Sequence, residues 1–76
     1  MNAPARRQVI LEFPASFDYR SPAAVLRVFN AENGKQIITI TDLHLDFNAE
    51  GLASVQARFL GGEEEELQLA GVRIQP

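Results

Sequence analysis

The chain is expected to be all-β, a five-stranded antiparallel meander forming a small barrel or sandwich. Three observations carry this expectation. Two apolar runs end on nearly the same word, Phe29-Asn30-Ala31-Glu32-Asn33-Gly34 and Phe47-Asn48-Ala49-Glu50-Gly51, with a glycine where a hairpin would turn. The segments around these words are rich in Val, Ile, Leu and Thr and alternate apolar with polar residues, the period of a half-buried strand. At 76 residues the chain makes one domain at most, and its 46% hydrophobic content is that of a globular protein.

Residues 1–6 are small, polar and proline-containing, and are expected to form a mobile arm ahead of a single domain over 7–76. Val9, Leu11 and Phe13 alternate with Gln8 and Glu12, a strand that Pro14 closes. A long connection follows, bounded by Pro14 and Pro22 and carrying Phe17 and Tyr19. Residues 24–29 allow two readings. Ser21-Pro22 resembles a helix start and Asn33-Gly34 a helix stop, so a helix over about 22–32 would give an α+β alternative, a four-stranded antiparallel sheet with one helix. Val-Leu-Arg-Val-Phe is β-prone, however, and Asn33-Gly34 running straight into Lys35-Gln36-Ile37-Ile38 is the stronger hairpin cue, which favours a strand.

Residues 35–47 as one straight strand would reach about 43 Å at roughly 3.3 Å per residue, too long for so small a body. Ile38 and Ile40 lie on even positions, whereas Leu43, Leu45 and Phe47 lie on odd ones, so a bulge near Thr41-Asp42 is expected to bring both sets to one face. Ala53, Val55, Ala57 and Phe59 form the next one-sided strand, and Gly61-Gly62 with the glutamates the next turn. Leu67 and Leu69 give way to Ala70, Val72 and Ile74, a change of parity that places a second irregularity at Ala70-Gly71 before the last strand packs on the core.

Composition narrows the function. Ten carboxylates against seven basic residues leave a net charge of -3, which argues against nucleic acid as the partner, since such binders neutralise phosphates with cations. The absence of cysteine excludes disulfide staples and thiolate clusters and fits a cytoplasmic setting. No apolar run approaches the roughly 20 residues of a membrane span, so no membrane partner is expected. Cys nucleophiles, nucleophile turns and phosphate-cradling loops are missing, and Gly61-Gly62 runs into four negative charges, so no enzyme activity and no cofactor are expected.

Three groups remain as candidate sites. Asp42, His44 and Asp46 share one strand face and include the single histidine, but a metal site needs more convergent ligands, and the solvated face of an amphipathic strand accounts for the pattern. Glu63, Glu64, Glu65 and Glu66 are a candidate acidic contact for a protein partner, set against the plainer role of a solvated turn. Phe17, Tyr19 and Arg20 have the composition of a binding hot spot, or else the two aromatics cap one end of the barrel. The expected function is a non-catalytic protein-interaction module, an accessory subunit or small inhibitor docking on a larger complex, and self-associating as a homo-oligomer through edge strands at 7–13 and 67–74. The alternative is a small barrel that binds a ligand or nucleic acid through Arg27, Arg58 and the loop aromatics.

Overall fold

Alternating parity and three glycine-marked turns produce five strands in chain order, β1 (Gln8–Phe13), β2 (Arg27–Asn30), β3 (Ile40–Asn48), β4 (Gly51–Phe59) and β5 (Glu64–Ile74). The structure, a computed structural model, describes residues 6–15 and 24–75, the side chains of residues 52 and 53 excepted. Among the described residues there is no α-helix, and none long and apolar enough to cross a membrane. Residues 27–30 are strand, in agreement with the all-β reading rather than the helical one. Of the expected N-terminal arm only Arg6 is among the described residues.

The sheet order is β2-β1-β5-β4-β3. β1 with β2, β3 with β4 and β4 with β5 are antiparallel, whereas β1 pairs with β5 in parallel. The parallel seam follows from counting. In an up-and-down meander the first and fifth strands run the same way, so a sheet that curls until they meet must join them in parallel. The curl continues beyond β2: Phe29 bridges Gln36, and the Ile37 amide donates to the Val28 carbonyl at 2.8 Å. Residues 35–37 thus bring the chain round from β2 toward β3 without making the two strands partners.

The strand pairing corrects one of the two expected edges. Residues 7–13 and 67–74 are the expected open borders, yet β1 pairs on both sides, with β2 and with β5, whereas residues 68–74 of β5 pair with β1 alone among the described residues. The outermost strands are β2 and β3. Self-association through β1 loses its basis, because that strand already has a partner on each side.

Both expected irregularities are present. Ile40 pairs with Phe59 and Asp42 with Arg58, leaving Thr41 as the extra residue, and Val9 pairs with Leu69 and Ile10 with Gly71, leaving Ala70 extra. A third was not expected. Asp46 pairs with Ser54 but Phe47 with Leu52, so β4 also bulges at Ala53 inside a stretch that reads as unbroken alternation.

The core is Val9, Leu11, Phe13, Val28, Leu45, Val55, Ala57 and Leu67, the inward parity of every strand. Two apolar groups depart from expectation. Ile38 is 80% exposed while its neighbour Ile37 packs on the core, because the chain crosses from β2 to β3 here and the parity changes before Thr41. Val72 and Ile74 are 50% and 44% exposed, since β4 pairs with β5 only up to Leu67 and leaves its last half covered by β1 alone.

The repeated word has a repeated local structure. Asn30 Oδ1 accepts the amide of Glu32 at 2.9 Å, and Asn48 Oδ1 accepts that of Glu50 at 2.9 Å, each side chain closing its own turn. The third turn depends on Gly61 and Gly62, whose φ values of 96° and 87° place two successive residues in the left-handed region. A Cβ there costs about 1–2 kcal/mol per residue. Gly61→Ala and Gly62→Ala are each expected to lower stability by that amount in urea unfolding, although neither Cβ would meet an atom within 4 Å. A change below about 0.3 kcal/mol would show that the turn relaxes freely, against the 1–2 kcal/mol that a left-handed residue costs.

Candidate functional site

The acidic run enters the sheet as the start of β5. Pairing with β4 sets Glu64 opposite Arg58, Glu65 opposite Ala57 and Glu66 opposite Gln56. Arg58 donates to Glu64 at 2.8 Å, Arg7 lies 3.4 Å from Glu65, and Arg6 lies 3.4 Å from Glu66. The hydrogen bond from Arg58 to Glu64, and then the charge of Glu64, raise the Arg58 guanidinium above its ordinary value. Arg7 also sits over the Phe59 ring, 5.6 Å from its centroid. Three of the four carboxylates therefore have cationic partners, and Glu63 contributes its carbonyl to the turn, accepting the Phe59 amide at 2.8 Å. These pairs are solvent-exposed and individually weak, but they reduce the negative field that the sequence alone implies.

Asp42, His44 and Asp46 occupy the outward face of β3, as parity requires. His44 Nε2 lies 2.9 Å from Asp46 Oδ1, and the Ser54 hydroxyl donates to Asp46 Oδ2 at 3.3 Å. The serine thus reaches the carboxylate rather than the imidazole, which leaves His44 off the path of a proton from that hydroxyl. Among the described residues no three His, Asp or Glu side chains are grouped to hold a metal ion. Cross-strand rows run Asp42–Arg58–Glu64 and His44–Gln56–Glu66, so this half of the outer surface carries more carboxylate than cation.

Between the outermost strands lies a groove of about 520 Å³, walled by residues 25–28 of the β2 side and by 36–38 and 40–43 on the β3 side. Its volume is in the range of ligand clefts, roughly 300–1,000 Å³. Leu26 and Ile38, two of the most exposed large apolar side chains, line it at 48% and 80% exposure, and Ile40 and Leu43 are half-buried in its wall. Among the described residues, 40–46 pair with β4 on one side only. Peptide groups on the other side form a strand border, the kind of surface that accepts an added strand.

A fourth cluster is invisible in the sequence. Glu12 lies on the side of β1 opposite Leu11 and Phe13, where a solvated residue is expected, yet it is only 6% exposed. Register places Arg27 on one side of it and Arg73 on the other. Arg27 Nε lies 3.2 Å from Glu12 Oε1, close enough for ion pairing but not aligned as a hydrogen bond, so that buried oxygen has no hydrogen-bond donor. Arg73 stacks on Phe29, 4.6 Å from the ring centroid.

Phe17, Tyr19 and Arg20 lie outside the described residues. Glu64, Glu65 and Glu66 are brought beside basic partners, and none of Glu63, Glu64, Glu65 and Glu66 lines the β2–β3 groove. No family model, curated protein or solved structure matches the chain.

Proposed function

We propose that the chain is a non-catalytic protein-interaction module, an accessory subunit or small inhibitor of the cytoplasm that docks on a larger protein through the β2–β3 border. The supporting observation is the combination of a one-sided strand at 40–46 with a groove of mixed polar and apolar lining beside it, where Leu26 and Ile38 are exposed. The bond from Ser54 to Asp46 instead of His44 favours a contact role over hydrolysis. Arg27 and Arg58, the cations a nucleic-acid surface would use, are taken up by Glu12 and Glu64, which weakens that alternative.

A photoreactive amino acid at Ile38, used in the native host, is expected to crosslink a protein partner. The same probe at exposed Gln68 on β5 is expected to give no such adduct. Identical adducts from both positions, or none from Ile38, would overturn the assignment of the docking border.

A further inference from the structure

Resting on the docking role just proposed, we infer that the partner supplies an extended segment in which basic and apolar residues alternate, added as a strand beside residues 40–46 of β3. The pleat dictates this chemistry. A strand laid against β3 continues its alternation, so every second side chain falls on the outer face and the others fall over the groove. Those on the outer face come within about 4.5–5.5 Å, between Cβ atoms, of Asp42, His44 and Asp46. On the other face they meet half-buried Leu43 and Ile40 with exposed Ile38 beyond.

Charge selects among the possible occupants. Asp42 has Arg58 as its cross-strand neighbour in β4, but that guanidinium is hydrogen-bonded to Glu64, and Asp46 accepts from Ser54 and lies 2.9 Å from His44 Nε2 on its own strand. Both carboxylates therefore keep an open side toward the border with little cationic charge to offset them. A second copy is a poor occupant, because antiparallel self-pairing centred on His44 sets Asp42 against Asp46 twice, and like charges directly opposite are destabilising. An acidic strand meets the same repulsion. Arg27, the single cation in the groove wall among the described residues, is held by Glu12 and does not reverse the balance. Lysine or arginine at alternate positions, separated by valine or isoleucine, satisfies both faces at once.

The test uses end-blocked seven-residue peptides alternating lysine with valine, a glutamate–valine counterpart, and a lysine-rich control with its central valine replaced by proline. Binding to the full chain is followed by amide chemical shifts and fluorescence anisotropy. The lysine–valine peptide is expected to shift amides over 38–46, and the proline control to lose most of this, since proline removes a ladder donor. The variant Asp42→Lys/Asp46→Lys, confined to exposed side chains, is expected to weaken lysine–valine binding by about tenfold and to strengthen glutamate–valine binding comparably, from two exposed charge pairs changed from attraction to repulsion.

Equal binding of both charged peptides would overturn the basic-partner inference, as would shifts centred on 63–66 or a light-scattering dimer blocked at 40–46. If Ile38 still crosslinks a partner while the double charge variant changes nothing, the docking role stands and the basic-strand inference alone fails.

Discussion

Phe13→Ala is expected to leave most of the chain unfolded at 25 °C. The ring is 1% exposed and among the largest fully buried side chains, and removing such a group costs about 3–5 kcal/mol through lost transfer energy and the cavity left behind. A single core of this size supplies about 3–5 kcal/mol in total, so one substitution consumes the whole margin. The matched control is Val72→Ala, on the part of β5 that β4 does not cover, where a change within about 0.5 kcal/mol is expected. Urea unfolding followed by circular dichroism separates the two. Comparable losses at both sites would mean that β4 covers β5 along its full length.

Arg27→Ala is expected to produce the next largest loss, about 1–3 kcal/mol, by stranding the Glu12 carboxylate without its ion-pair partner. The figure stays below that of a fully buried pair because the Arg27 side chain is 49% exposed and water screens it. Glu12→Gln placed in the Arg27→Ala background is expected to recover most of the loss, since a neutral amide is far cheaper to bury than an unpaired charge. This double-mutant cycle distinguishes an electrostatic role from mere packing of the arginine stem. No recovery in the double variant would mean that Arg27 acts through its methylenes.

The Glu12 cluster and the β3 border show how one sheet divides its polar residues. On the β2–β1–β5 half, two arginines flank one buried carboxylate, whereas on the outer β3–β4–β5 half carboxylates outnumber cations. The border assigned to docking belongs to the acidic half. In the proposed docking role, charge on the outer face would set selectivity, while Leu26, Ile38 and the half-buried wall of the groove would supply contact area.

Much of the fold was legible because it depends on parity within a few residues. Leu43 and Leu45 against Ile40 required an extra residue near Thr41, and Leu69 against Val72 required one at Ala70; both are where the register slips. The bulge at Ala53 left no such trace, since Ala53, Val55 and Ala57 alternate without a break. The candidate sites were less legible. A run of four glutamates reads as exposed negative charge, but Arg6 and Arg7, some sixty positions earlier in the chain, stand beside it once β1 and β5 are paired.

The amino-acid sequence by itself determined the strands, their turns, most of the inward-facing residues and two of the bends, because each follows from side-chain period and backbone preference over a short stretch. Tertiary structure alone decided which strands are interior, that the closing seam is parallel, and that Glu12 is buried between Arg27 and Arg73. These outcomes require register between segments far apart along the chain, and no local pattern encodes how distant strands slide past one another before they lock.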